Sequence, residues 1–444
     1  MYDGYVGQTL NQMTKRTYIL DKLALGNDGQ VALSAKDPLY FLDENTTQFP
    51  PVSAMALGSD ISDSQTLDVF LNSTSALSSM SVVSQLSQSL NIGDISLYAL
   101  QVDKEVISYV TRSFAFPYDL LDANRGEQGT DASEHYEDDK AQRLGTFTNA
   151  KPSLAIYELL VTWGGVDASF IDYATWEAEN DAHLGSAFAL TGVVTKPTAI
   201  NKLIADICEQ TGTFIWYDDE DQKIKFKTIR PEASTNITAL DDFSNAIAGS
   251  TNLAIDPKDR VSRVFYYAAP RDVTESNSEL GNFQELNVRI ATDEESADEY
   301  GSEKARTIFA RYIPTANAGD VLSSRLLTRF ADEKRLLSYA LDIKDSQYKL
   351  GDVLDITTRI IQDETGANPT HRYQIVGRSV DHKKGIIMLT LQNFEFVGRY
   401  SNWSDNGDGL TDYAAATDEQ RVNFAFWCDD SGLMPNGDNS YKWW

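Results

Sequence analysis

Two nearby runs, Asp103-Lys-Glu-Val-Ile-Ser-Tyr109 and Arg125-Gly-Glu-Gln-Gly-Thr-Asp-Ala-Ser-Glu-His135, decide how this chain is read. The first enters an apolar strand through Val106 and Ile107. The second is a turn: Gly126 and Gly129 permit positive φ, and Thr130, Asp131 and Ser133 are residue types that cap a short segment. His135, close behind, reads as a packed and hydrogen-bonded histidine rather than a catalytic or ligand residue. On physical grounds alone the stretch specifies a strand and a tight turn, and no chemistry.

Working outward, a chain of 444 residues exceeds one ordinary core, and its length suggests about three domains. A hydrophobic fraction of 42% supports real cores rather than disorder. Lys and Arg total 38 against 66 Asp and Glu, a net charge of −28. Adhesion to a nucleic-acid backbone is therefore unfavourable over most of the surface, although nucleic acid can pass without binding. The same acidity also serves solubility. The two cysteines, Cys208 and Cys428, cannot build a disulfide framework or a cysteine zinc site. Cys208 sits in Leu203-Ile-Ala-Asp-Ile-Cys208 and reads as a buried small hydrophobe. No apolar run approaches the roughly 18 residues that span a bilayer, and no signal-peptide pattern opens the sequence. The expectation is a soluble protein made in a cytoplasm.

Strand patterns begin at Tyr18-Ile-Leu20 and Leu23-Ala-Leu25, turn at Gly26-Asn-Asp-Gly29, and continue in Val31-Ala-Leu-Ser-Ala35, which together make a hairpin. Tyr373-Gln-Ile-Val-Gly-Arg-Ser-Val380 and Ile386-Ile-Met-Leu-Thr-Leu391 repeat that plan around Asp381 to Gly385. The similarity suggests an internal duplication of a small β unit. Three copies of a chain with two equivalent units form a ring of pseudo-sixfold symmetry. Between Leu57 and Asn91 the Ser-, Thr- and Asp-rich sequence reads as weak strands or an extended loop.

From Pro152 the period becomes helical through Leu154, Ile156, Tyr157, Leu160 and Val161, ending near Gly164-Gly165. A second helix starts at Pro197 and Thr198, turns Ile200, Leu203, Ile204, Ile207 and Cys208 inward, and stops at Gly212. The hairpin Phe214 to Ile229 follows, turning at Asp218 to Gln222, an acidic run that reads as a solvated tip; a helix on a hairpin makes a compact α+β domain. Strands are expected at Arg260 to Tyr267 and Phe283 to Ile290, and helices from Ser296 to Ile313 and from Asp320 to Arg335. Four more strands, Ser338 to Ile343, Val353 to Thr357, Arg372 to Val380 and Ile386 to Leu391, complete the second unit. The chain ends in an Asp- and Asn-rich segment that closes with Trp443-Trp444, suited to docking on a neighbour.

A hydrolase would draw on His135, His183, His371 and His382. The sequence has no Gly-x-Ser-x-Gly elbow, His-Glu-x-x-His helix or Gly-x-x-x-x-Gly-Lys loop. Nothing in the sequence brings either cysteine to a histidine. A glycosidase needs two well-spaced acids, which so acidic a chain contains in many combinations. For a cation, the loop Asp405-Asn-Gly-Asp-Gly-Leu-Thr-Asp412 offers Asp405, Asn406, Asp408 and Asp412 as hard oxygen ligands suited to calcium. Ser404 and Ala415 stand where a helix-loop-helix calcium site has its first Asp and its bidentate Glu, which leaves an ordinary Asx and glycine turn as the alternative. No other cofactor is expected.

Several anchors occur together in order: Gly4-Tyr-Val-Gly-Gln-Thr-Leu10, Lys36-Asp-Pro-Leu39, the Arg125-Gly-x-x-Gly-Thr-x-Ala-x-x-His135 module, Cys208-Glu-Gln-x-Gly-x-Phe-x-Trp-Tyr-Asp-Asp219, Ile229-Arg-Pro231 and Leu350-Gly-Asp-Val353. As a set they resemble the tail-tip, or baseplate, hub proteins of siphophages, over most of residues 1 to 400. In that resemblance Arg125, Gly126, Gly129, Thr130 and His135 are structural motif residues of a β-hairpin module. It implies an α+β, mainly β chain with two tube-like β-barrel domains. The segments would be a first tube-like domain at 1–90, the hairpin module at 91–147, an α+β domain at 148–235, a second tube-like domain with helices at 236–400, and the Asp-rich segment at 401–444.

The resemblance further implies a non-enzymatic homotrimeric ring in the virion tail tip. That ring would meet distal tail or tube proteins and the tape-measure protein, carry a central fibre or spike, and let DNA pass through its lumen without specific binding. Members of this family carry more chain before the Gly4-Tyr-Val-Gly7 segment, so the first barrel is expected to be incomplete and finished by another polypeptide. The competing readings are a tail-associated cell-wall hydrolase and a receptor-binding tail fibre protein.

Overall fold

The computed structural model describes residues 2–3, 7–25, 31–42, 47–53, 55–64, 69–73, 90–93, 98–112, 118–232, 237–256, 260–276, 278–290, 304–330, 333–345, 347–381, 384–394, 425–427 and 441–443. The chain is mainly β, as expected, and divides into two compact units. One comprises Met1–Thr228, Tyr266–Asn287 and Thr307–Gly319; the other comprises Ile229–Phe265, Val288–Arg306 and Asp320–Trp444.

The first unit opens with a separate hairpin, β1 (Ile19–Leu25) and β2 (Val31–Lys36). Next come β3 (Met55–Leu57), β4 (Val69–Ser73), β5 (Asn91–Gly93), β6 (Tyr98–Val102), β7 (Glu105–Arg112), β8 (Tyr118–Asn124) and β9 (Lys140–Arg143). All of these except β5 form a closed antiparallel barrel in the order β7-β8-β4-β3-β9-β6, with β6 pairing both β9 and β7. The alternation of a pleated strand sends Leu100, Val102, Ile107 and Tyr109 into one core with Met55, Leu57, Val69 and Leu71. Their neighbours Ala99 and Val106 pack on the other side with Leu144 and Val193. Burial on both faces is why this run reads as continuously apolar.

Beyond the barrel, β10 (Gly145–Ala150) lies between β5 and β11 (Leu190–Val194). Between β10 and β11 run α1 (Pro152–Glu158), extended by a single π turn at Leu159–Trp163, and α2 (Tyr173–His183). Then α3 (Ile200–Thr211) buries Ile200, Leu203, Ile204 and Ile207 and ends where Gly212 adopts φ 65, the left-handed geometry that glycine takes without strain. It leads into the hairpin of β12 (Thr213–Asp218) and β13 (Lys223–Thr228). Trp176 of α2 stacks on Phe226 and its indole N–H donates to the Ile224 carbonyl at 3.1 Å, fixing helix to hairpin.

The second unit is built on a six-stranded sheet, for which β14 (Thr238–Asp241) and β15 (Asn252–Asp256) are the edges. The chain then runs through β16 (Arg263–Pro270), β17 (Phe283–Ile290) and β18 (Ala305–Ala310), which form a three-stranded sheet in the order β17-β16-β18, and through helix α4 (Asn317–Phe330). It returns as β19 (Lys334–Asp342), β20 (Val353–Thr357), β21 (Thr370–Asp381) and β22 (Ile386–Asn393), giving the order β14-β20-β21-β22-β19-β15. Leu337, Tyr339 and Leu341 share its core with Tyr373, Ile375, Ile387, Leu389 and Leu391.

The structure departs from the sequence reading at four points. The barrel joins strands on both sides of residue 91, so the expected boundary between a first domain and a hairpin module falls inside it. That barrel closes with this chain's own strands and needs none from another polypeptide. The two-barrel arrangement is not seen, because no pairing joins β14 to β15 among the described residues. The duplication fails too: the hairpin around Val31 is a two-stranded ribbon, whereas the one around Met388 is central to six strands.

In addition, the helix expected over Ser296 to Ile313 is replaced within its described part by β18, where Ile308 and Ala310 are buried at a spacing of two. Ala305, Ile308, Phe309 and Tyr312 fit helical spacing, but β-branched Thr307 and Ile308 favour the pleated geometry that sheet pairing selects. The Gly26 to Gly29 turn, most of the segment between Leu57 and Asn91, Cys428 and the Asp405 to Asp412 loop lie outside the described residues. Leu100 is fully buried in the barrel core. Leu100→Ala is expected to destabilise the protein by about 2–5 kcal/mol, measured as a lower midpoint in chemical denaturation.

Candidate functional site

The residues of the Arg-Gly-x-x-Gly-Thr module converge on a carboxylate that the sequence reading had not singled out. Glu105, the first residue of β7, has a fully buried side chain. Arg125, just beyond β8, grips it through Nε at 2.5 Å from Oε1 and Nη2 at 2.7 Å from Oε2. The Gly126 N–H donates to Oε1 at 3.1 Å, the Ser133 N–H to Oε2 at 3.0 Å, and His135 Nε2 lies 2.9 Å from Oε2. Arg125 also donates to the carbonyls of Ser62 and Ser133, and His135 pairs its backbone with Ile61.

The remaining motif residues shape this loop. Thr130 Oγ1 accepts from the Val106 N–H and donates to the Glu127 carbonyl. Gly126 and Gly129 have φ of 63° and 82°. A Cβ on Gly129 would lie 1.5 Å from the Arg271 carbonyl oxygen, so both conformation and space require glycine there. Burial by itself would raise the Glu105 carboxyl. The hydrogen bonds from Arg125, Ser133 and His135, with the guanidinium charge, outweigh it and hold the group below its ordinary value. His135 is buried and hydrogen-bonded through Nε2, as its packing role required, while Asp103 Oδ2 lies 3.4 Å from its Nδ1.

A second feature of note is the β1–β2 hairpin. Leu23 faces Leu33, Leu25 faces Val31, and across a bulge Leu20 faces Ala35, which places all six on one side of the ribbon. The five larger side chains are 55% to 74% exposed. Lys22, Ser34 and two alanines occupy the opposite side. An isolated two-stranded hairpin is marginal in water, and contiguous exposed apolar side chains are uncommon on a monomer's surface.

The hairpin is tied down at its base. Arg16 is buried and pairs with Asp219 and Glu220; Tyr18 donates to Asp219 at 2.7 Å, and Tyr217 donates to the Thr17 carbonyl at 2.9 Å. Burial together with Asp219 pushes the Tyr18 hydroxyl up to about 12. The acidic tip Asp218 to Asp221, read from sequence as solvated, is in fact this anchor; the signal missed was the Arg16-Thr-Tyr18 run some two hundred residues away.

Burial pushes the Cys208 thiol up to about 11, which keeps it protonated and non-nucleophilic at neutral pH. His183 faces Glu179 one turn earlier on α2 at 3.7 Å. His371 is a rung of β21 opposite Ile356, and His382 lies outside the described residues. A cleft of 470 Å³ is lined by Lys196, Arg311, Glu275 and several hydroxyls, without histidine or cysteine. The calcium candidates Asp405, Asn406, Asp408 and Asp412 lie outside the described residues. No helix among the described residues is long and apolar enough to cross a membrane.

No family model and no curated protein matches the chain. Among solved structures it is similar to a chain of the virion of a native gene transfer agent particle, at 13% identity over 60% of this chain and 51% of that one, with a TM-score of 0.37. It is also similar to a tail protein from Neisseria meningitidis MC58, at 10% identity over 85% and 96% of the two chains, with a TM-score of 0.36. A prophage tail protein from Listeria monocytogenes EGD-e matches at 10% identity over 86% and 96%, with a TM-score of 0.32. The chain thus spans about half the length of the gene transfer agent chain it matches.

Because the Glu105 carboxyl is depressed in the folded state, its contribution to stability is present above the ordinary glutamate range and is lost as pH falls through the folded value. Glu105→Gln leaves the Arg125 guanidinium buried without its counter-charge and is expected to cost about 3–5 kcal/mol at neutral pH. Denaturation of wild type and variant across the acid range checks both points: the gap between them should narrow on acidification.

Proposed function

We propose that this chain is a structural protein of a bacteriophage tail tip: a hub that forms a homotrimeric ring, joins the tail tube to the central fibre or spike, and lets DNA pass. What carries the reading is that Arg125, Gly126, Gly129, Thr130 and His135, residues by which the sequence resembles tail-tip hubs, converge on one buried carboxylate. The resemblance therefore lies in a folded module rather than in scattered identities. Other anchors are structural in the same way. Gln210 accepts from the Tyr266 hydroxyl through its carbonyl and from the Tyr312 N–H through Oε1, while Asp352 accepts from the Lys349 N–H to close the turn before β20.

In this reading the protein works mechanically and catalyses nothing. The apolar face of the β1–β2 hairpin supplies contact between subunits, where burial of leucine and valine side chains drives association. Distal tail or tube proteins, the tape-measure protein and the fibre or spike are its other neighbours in the virion. The net charge of −28 disfavours adhesion of DNA during its passage.

Native mass measurement is expected to give three chains per particle. Leu23→Thr with Leu33→Thr removes apolar side chains from an already exposed face and keeps residues suited to a strand pair, so it should yield monomers with an unchanged circular dichroism spectrum. A wild-type protein that remains monomeric at high concentration, or that electron microscopy of intact particles locates away from the tail tip, would falsify the reading.

A further inference from the structure

We propose that Asp103, His135 and Asp139 form a divalent-cation site suited to zinc or a similar first-row ion. One nitrogen and two carboxylate oxygens make up the donor set, and their ligand atoms all lie within 4.8 Å of one another. The observation that points to a ligand is the imidazole itself. His135 is 2% exposed, and its Nδ1 is buried with no hydrogen-bond partner, facing Asp103 Oδ2 at 3.4 Å. That separation is long for a hydrogen bond. It matches the edge of about 3.4 Å in a tetrahedron whose metal bonds are roughly 2.0–2.1 Å long.

The opposite side of the ring favours the same conclusion. Glu105 is ionised and accepts through Oε2 at 2.9 Å from Nε2, so the ring proton belongs on Nε2 and the Nδ1 lone pair faces the carboxylates. A lone pair turned toward two anionic groups is unfavourable unless a proton or a metal ion lies between them, and the spacing of the three ligand atoms leaves room for the metal ion. A carboxylate that orients a histidine from behind while its other nitrogen binds metal is a recurrent supporting arrangement, and Glu105 occupies that position. Asp139 is oriented as well, since one of its oxygens accepts from the Tyr136 N–H at 2.7 Å.

Three separate segments supply the ligands. Asp103 stands in the tight turn between β6 and β7, with φ of 52°, His135 ends the motif loop, and Asp139 immediately precedes β9. An ion there would staple the loop to the barrel end, leaving a fourth position for water. The sequence reading of His135 as only a packed residue is thereby extended: one nitrogen serves the fold and the other the ion.

The test uses the full chain, stripped with chelator and titrated with zinc chloride in the presence of excess magnesium, which occupies weak carboxylate sites. Calorimetry should show one zinc per chain at this site, together with a rise in the midpoint of thermal unfolding. The double substitution Asp103→Asn and Asp139→Asn should weaken that binding roughly tenfold or more, because two charged ligands are lost. Neither side chain bonds Glu105, and asparagine at 139 keeps an oxygen for the Tyr136 N–H, so the metal-free variant should unfold at or above the wild-type midpoint. Absence of saturable zinc binding, or binding and thermal shift unchanged in the double variant, overturns the proposal. So does nitrogen NMR showing both ring nitrogens of His135 protonated in saturating zinc.

Discussion

The Glu105 carboxylate is the constraint on which the first unit depends. Its side chain is fully buried, and an isolated charge there would be strongly disfavoured by desolvation. Partners from Arg125, Gly126, Ser133 and His135 compensate it. The loop from Arg125 to His135 contains Ala132 as its only aliphatic side chain, so hydrophobic burial cannot specify its path. Charge does so instead: every donor has to reach one small anion, and that requirement fixes the φ-positive turns at Gly126 and Gly129 and the return of the chain to Ile61. The module is thus specified by a buried ion pair of the kind that contributes more to uniqueness than to net stability.

A related device holds the amino-terminal hairpin. Arg16 enters the acidic tip of the β12–β13 hairpin, and Tyr18 and Tyr217 close the contact with hydroxyl hydrogen bonds. The ribbon beyond this base makes no compact core of its own, since its apolar side faces outward. Rigid attachment with an uncovered apolar face is the arrangement expected of an element whose stabilising contacts lie on another molecule.

How much of this was legible in the sequence depends on the range of the interaction. Local patterns were read correctly: α3 with its Gly212 stop, the β12–β13 hairpin, and the strands β19 to β22 all follow from periodicity and turn residues. Long-range pairing was not. Nothing in the sequence around Met55 or Val69 says that these short strands close a barrel with β7, β8 and β9, because their spacing shows no more than possible strands. The helix expected over Ala305 to Tyr312 failed for a related reason, since one apolar pattern satisfied two periods and tertiary pairing chose between them. At the candidate site the glycines, Thr130, Arg125 and His135 were visible as a motif. Glu105 stands in the quoted strand with nothing local to single it out, and only folding shows it as the group the others serve.

The distribution of charge links these points. Among the described residues, the buried Glu105 is matched by Arg125 and the half-buried Asp219 and Glu220 by Arg16, while the buried Asp242 takes the Thr358 hydroxyl and the Arg359 N–H. Copies of so acidic a chain repel one another, but at physiological ionic strength the repulsion is screened beyond about 8 Å. Contact closer than that has to come from a surface poor in carboxylates. The face formed by Leu20, Leu23, Leu25, Val31 and Leu33 is such a surface, and the association proposed for it would be driven by water released from leucine and valine, which needs no pairing of opposite charges.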